Sequence, residues 1–239
     1  LSKHTARLLM REPFFAGISR RIDKSPSLSV PTVGVRLNKS TGYYEMLYNP
    51  EFFESLSDKE KLGVLKHEFY HLIFQHVTDR LPEEGMSKMW NVATDLSINS
   101  HLIGEIPENG CIPGAKGTPF EDYPIGLSSE AYFKMLKEDD QFKQSQSGSE
   151  GQSGEGSGSG SGSSDGLPDT LDSHDEWGNS SDGSGVDSDI AKERLREMLE
   201  QASKEATRSN SWGSVSHETR KMIQKFLNPS IDWRKMLQY

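Results

Sequence analysis

The residues best suited to chemistry are His67-Glu68-Phe69-Tyr70-His71, two histidines four apart with a glutamate directly after the first. Four residues is close to one helical turn, so on a helix both imidazoles leave one face and can reach a single divalent cation. Neutral imidazole is a common zinc ligand, and an adjacent carboxylate that is not a ligand can take a proton from a coordinated water. The spacing therefore points to metal-assisted hydrolysis, with His67 and His71 as ligands and Glu68 as general base. At about 100° per residue from Leu65, the side chains of Leu62, Phe69, Leu72 and Ile73 form one apolar stripe. His67 and His71 fall off that stripe. His76 falls within it, and reads as a core histidine satisfied by a backbone carbonyl.

A catalytic zinc site needs a third protein ligand. The run Asn91-Val92-Ala93-Thr94-Asp95-Leu96-Ser97-Ile98-Asn99 offers one, because Asp95 and Asn99 are again four apart. Val92, Leu96, Leu102 and Ile103 flank them, on the side of the helix that should face the core. A carboxylate and an amide buried there need partners. Asp95 as the third ligand, with Asn99 accepting the second N–H of a liganding histidine, satisfies both; local backbone capping is the alternative. His101 should face solvent. His174, in Leu171-Asp172-Ser173-His174-Asp175-Glu176-Trp177, could replace Asp95 in the metal shell or stabilise an oxyanion, or could be a solvated linker residue. Cys111 is the single cysteine, which excludes an intrachain disulfide; without a nearby base it reads as a bystander.

These side chains need elements to hold them. Ser57-Asp58-Lys59-Glu60 is a capping box that opens a long helix to about residue 79, and that helix carries the histidine pair. After a turn at Pro82-Glu83-Glu84-Gly85, a second helix over 88–103 carries Asp95 and Asn99. Upstream, residues 2–18 read as helix interrupted at Pro13. Residues 29–37 and 43–48 read as a hairpin around Asn38-Lys39-Ser40-Thr41-Gly42. The 43–48 strand directly precedes the histidine helix, which makes it the candidate edge for an extended peptide. Tyr43, Tyr44 and Tyr48 read as packing residues. Residues 106–123 should be loop, and 128–138, 189–208 and 218–227 helices. The order is α+β.

Composition sets the frame. Of 239 residues only 33% are hydrophobic, and the net charge is −9. Nine acidic residues and no Lys or Arg lie between 145 and 188, and eleven of the 22 glycines lie there too; elsewhere 27 acids balance 27 bases. Residues 144–188 therefore read as an acidic Gly/Ser-rich flexible insertion between a core at 1–143 and C-terminal helices at 189–239 that pack on it. Nothing argues for nucleic-acid binding, and no apolar run approaches the ~20 residues of a membrane span. The residues at the start lack the form of a secretory signal, and the missing initiator Met suggests a trimmed chain. The expectation is a cytoplasmic protein.

Lys66-His67-Glu68 through His76, followed by the helix from Trp90 to Asn99, resembles the metallopeptidase domain of predicted bacterial and phage metal-dependent peptidases. The resemblance covers roughly residues 2–103 and extends more weakly to the 171–177 island and to Asp232-Trp233-Arg234. It implies a zincin-like fold with a small sheet beside the HExxH helix. It also implies His67 and His71 as zinc ligands, Glu68 as base, Asp95 as third ligand, and a role for His174. In many relatives the domain precedes a von Willebrand A-like domain, for which this chain has no room before Tyr239. The expectation is a zinc endopeptidase acting on peptides or proteins, in a bacterial or host cytoplasm. Two alternatives stand beside it: a non-catalytic zincin-like assembly protein contacting partners through its acidic insertion, and a structural zinc site closed by four ligands.

Overall fold

The computed structural model describes residues 2–38, 40–78, 80, 82, 87–143 and 188–228. His174, the 171–177 island, most of the turn after Pro82 and the 229–239 ending lie outside the described residues. The elements are helices α1 (Ser2–Arg11) and α2 (Pro13–Ser19), strands β1 (Asp23–Pro26), β2 (Val33–Leu37) and β3 (Tyr44–Tyr48), and then helices α3 (Pro50–Ser55), α4 (Asp58–Ile73), α5 (Lys88–Asn99), α6 (Ser129–Glu138), α7 (Asp140–Lys143), α8 (Ser188–Arg208) and α9 (His217–Leu227). The fold is α+β, as the element order implied. Among the described residues no helix is long and apolar enough to cross a membrane.

Local chemistry sets most boundaries. Pro13 starts α2, where its missing N–H is one that a helix leaves unpaired anyway. The Asn49 side chain accepts from the N–H groups of Glu51 and Phe52 ahead of Pro50, and so opens α3, which the sequence reading missed. Ser87, Ser128 and Ser216 cap α5, α6 and α9 in the same way. The strands form one sheet in the order β1-β3-β2. This corrects the expectation for 43–48: β3 is the central strand, paired on both sides, and offers no edge to a peptide. The missed strand β1 is the reason.

The described residues fall into two compact units, within Leu1–Lys24, Leu37–Met46 and Ser184–Tyr239, and within Ser25–Arg36 and Leu47–Gly183. In the first, Gly17 lets α2 approach α8 closely, since a Cβ there would lie 2.8 Å from Ala202 Cα. Phe14 stacks on Trp212 at 5.1 Å between ring centroids, and Arg20 and Arg21 both pair with Glu205. In the second, α5 and α6 enclose a core that includes Trp90, Leu96, Phe120, Tyr132 and Phe142.

Candidate metal centre

Helix α4 is anchored at its start by the expected capping box: Glu60 N–H donates to Ser57 Oγ, and Ser57 N–H donates to Glu60 Oε2. Gly63 then brings the helix against the backbone of Glu105, where a Cβ would meet the carbonyl oxygen at 2.0 Å. Lys66 Nζ donates to Glu105 Oε2 at 2.8 Å across the same contact. From Gly63 to Ile73 every residue of α4 is buried, His67, Glu68 and His71 included. The helix ends at Ile73, about six residues before the expected point. Gln75 N–H donates to the Leu72 carbonyl and His76 N–H to the His71 carbonyl, with Gln75 at φ 61°. That is a Schellman cap with glutamine in the left-handed position usually given to glycine. It folds His76 back beside His71.

Three side chains converge. His67 and His71 bring their Nε2 atoms to 3.0 Å of each other. Asp95 Oδ1, from α5, lies 3.5 Å from the first and 3.7 Å from the second. The exposure of the three is 1%, 0% and 0%. One ligand atom from each lies within 4.8 Å of the other two, and among the described residues no other His, Cys, Asp or Glu joins this group. Two imidazole nitrogens and a carboxylate aimed at one point form a donor set suited to a divalent cation of borderline softness. Glu68, next to His67, has its Oε2 2.9 Å from the Val35 N–H of β2.

Each histidine is also held from behind. Asn99 Nδ2 donates to the Cys111 carbonyl at 2.8 Å, which turns Asn99 Oδ1 toward His67 Nδ1, also at 2.8 Å. His71 Nδ1 lies 3.2 Å from His76 Nδ1, and His76 Nε2 lies 2.9 Å from Ser129 Oγ. Ser129 is the first residue of α6, and the bidentate Arg80–Glu130 pair ties the segment after α4 to that helix beside it. Burial works against ionising Glu130, but the bonds and charge of Arg80, together with bonds from its own backbone N–H and Ser128, outweigh this and hold its carboxyl below the usual range.

The whole chain, residues 1–239, matches the family described as "Putative metallopeptidase domain". The chain belongs to that family. A protein of Thermotoga maritima that carries the name "Uncharacterized protein" is 26% identical over 102 residues, covering 43% of this chain and 25% of the relative. The chain thus spans about a quarter of the length of the curated relative it matches. No solved structure matches.

In this member of the family the expected residues meet: His67 and His71 from α4, with Asp95 and Asn99 from α5. His101 is exposed, as its position on the helix wheel implies, and stacks on Tyr70 at 5.3 Å. Ile103 corrects the wheel: α5 ends at Asn99, and Ile103 is 53% exposed rather than core-facing. His76 is buried as expected, but its ring bonds run to His71 and Ser129 rather than to the single backbone carbonyl anticipated. Three contributors escaped the sequence reading: the Val35 N–H, Ser129 Oγ and the Cys111 carbonyl. The first and last are backbone atoms, which carry no sequence signal. Ser129 sits directly after a cap serine, in a pair that reads only as a helix start.

Proposed function

We propose that this domain is a zinc-dependent endopeptidase of zincin type. The observation that carries the reading is the meeting of His67 Nε2, His71 Nε2 and Asp95 Oδ1, with Glu68 on the same helix. When bound, Zn²⁺ would acidify a water and polarise the scissile carbonyl. His67, His71 and Asp95 would hold it. Glu68 takes the proton of the attacking water and returns it to the leaving amine. Its place beside β2 selects the strand that receives substrate. The bonds from Asn38 N–H to the Tyr43 carbonyl and from Asn49 N–H to the Thr32 carbonyl set the antiparallel register of β2 and β3. In that register the Val35 N–H points away from β3, to the outer side of β2, where it donates to Glu68. An extended peptide adds along β2, not β3. His174 is assigned to oxyanion stabilisation on the strength of its sequence context. Peptide or protein substrates and a cytoplasmic setting complete the proposal.

A structural zinc site is the second reading, favoured by the near-complete burial of the three side chains. Against it, the described group has three members where a closed site has four. X-ray absorption of the Zn²⁺-loaded protein separates the two: the peptidase reading expects three protein ligands and one water, the structural reading four protein ligands. For the mechanism, Glu68→Gln should retain bound Zn²⁺ and lose peptide hydrolysis by at least ~100-fold, whereas His67→Ala should lose both. A zinc-loaded Glu68→Gln protein that hydrolyses peptides at the wild-type rate defeats the assignment.

A further inference from the structure

We propose that His76 and Ser129 are positioning residues for His71, and that the run His71–His76–Ser129 exchanges its protons in concert when a divalent cation enters between His67 and His71. The inference rests on the reading of His67, His71 and Asp95 as a metal centre.

The two liganding histidines are held differently. Behind His67 stands an amide oxygen, which only accepts, and the Asn99 bond to the Cys111 carbonyl keeps that oxygen in place. Neutral His67 therefore carries its proton on Nδ1 and presents a bare Nε2 with or without a cation. Behind His71 stands another imidazole, Nδ1 to Nδ1 at 3.2 Å, a contact in which either ring can be the donor. The run ends on a serine hydroxyl, which both donates and accepts. One ligand is locked, and the other can change.

Without a cation, two bare Nε2 atoms 3.0 Å apart would set lone pair against lone pair. The bonded arrangement has His71 Nε2–H donating to His67 Nε2. His71 Nδ1 then accepts from His76 Nδ1–H, and His76 Nε2 accepts from the Ser129 hydroxyl. A cation between the rings requires both Nε2 atoms bare. His71 then holds its proton on Nδ1 and donates it to His76 Nδ1, His76 holds its proton on Nε2 and donates it to Ser129 Oγ, and the hydroxyl proton of Ser129 turns to another acceptor. The proton that His71 Nε2 gives up passes to solvent and the Ser129 hydroxyl takes one back from solvent, so each ring ends with one proton, neutral as it began. Every bond of the run is kept in both states. A carbonyl at the end would fix His76 as the Nε2–H form and lock the run in its metal-bound pattern. The hydroxyl permits both.

The test uses the full chain labelled with ¹⁵N at histidine, at neutral pH, with Zn²⁺ alone as the probe. Two-bond ¹H–¹⁵N spectra should show His71 as Nε2–H and His76 as Nδ1–H in the metal-free protein, each exchanging to the other tautomer with Zn²⁺. His67 should read Nδ1–H in both. A His76 that keeps one tautomer throughout overturns the concerted exchange. For the positioning role, His76→Phe should weaken Zn²⁺ binding about 10–100-fold, and Ser129→Ala about tenfold. His76→Asn, which restores an acceptor for His71 Nδ1, should recover most of the loss. Wild-type Zn²⁺ affinity in Ser129→Ala, which removes one oxygen and spares the packing, overturns the role even where His76→Phe does not fold. Lower thermal stability of the metal-free variants with unchanged Zn²⁺ affinity marks a merely structural role and overturns it equally. A wild-type protein that binds no Zn²⁺ instead overturns the metal-centre reading beneath.

Discussion

A buried carboxylate is costly, and Asp95 is wholly buried on α5 beside two imidazole rings. Nothing in the packing of a helix calls for a charge there. On the proposed reading the side chain is a ligand, and its burial is a cost that a bound cation offsets. Asp95→Asn, which keeps the shape and removes the charge, should therefore leave the metal-free melting temperature unchanged or raise it. Zn²⁺ affinity should fall by at least ~100-fold, and the rise in melting temperature that Zn²⁺ gives the wild type should vanish. Thermal melts with and without Zn²⁺, beside elemental analysis after dialysis, read both effects. A variant that keeps its zinc would remove Asp95 from the ligand set. Cys111 serves the cluster through its backbone carbonyl, which accepts from Asn99 Nδ2.

At the scale of elements, the site depends on where α4 begins, how closely it packs and where it stops. The capping box and the histidine spacing were legible because side chains write them. The stop was not, because its left-handed residue is glutamine, and a Schellman cap without glycine gives no warning in the sequence. Gln75→Gly should relieve the strain of φ 61° and stabilise the protein by about 0.5–1 kcal/mol, read as a higher denaturation midpoint with unchanged slope. Gly63→Ala works in the other direction. Its Cβ would overlap the Glu105 carbonyl, so α4 must shift, at a cost of about 3 kcal/mol or more and with weaker Zn²⁺ binding. An alanine variant of wild-type stability would mean that this close approach is not what seats the helix. The sheet order was equally hidden: β1 has the short polar sequence Asp-Lys-Ser-Pro, which no periodicity marks as a strand, and without it β3 reads as an edge.

At the scale of the whole chain, each of the two units has its own means of cohesion. The unit that holds the candidate site relies on apolar and aromatic packing around Trp90, Leu96, Phe120, Tyr132 and Phe142. The other relies on α2 against α8, where Glu205 meets Arg20 and Arg21. Burial works against ionisation of Glu205, but the two guanidinium groups prevail and hold its carboxyl below 4.5, its ordinary value. A lowered carboxylate contributes stability in full above its unfolded pKa and loses it as pH falls through the folded one. Wild-type stability should therefore decline as pH drops below about 4.5, and Glu205→Gln should be less stable near neutrality with a shallower acid decline. Denaturant midpoints across that range test it; parallel wild-type and variant curves would show that the pair carries no such linkage.

The sequence alone determined the chemistry-bearing types and their local spacing: two histidines a turn apart, a glutamate between them, an aspartate and an asparagine a turn apart on the next helix, and the capping box that starts the first of those helices. Local backbone geometry fixes such relations, so a wheel and a capping rule reach them. Only the tertiary structure decided which strand is the edge, that α4 stops early enough to turn His76 onto His71, and that Ser129 and two backbone groups far along the chain complete the cluster. Those relations depend on how elements pack, and packing joins residues 53 positions apart, His76 and Ser129 among them, that no local pattern connects.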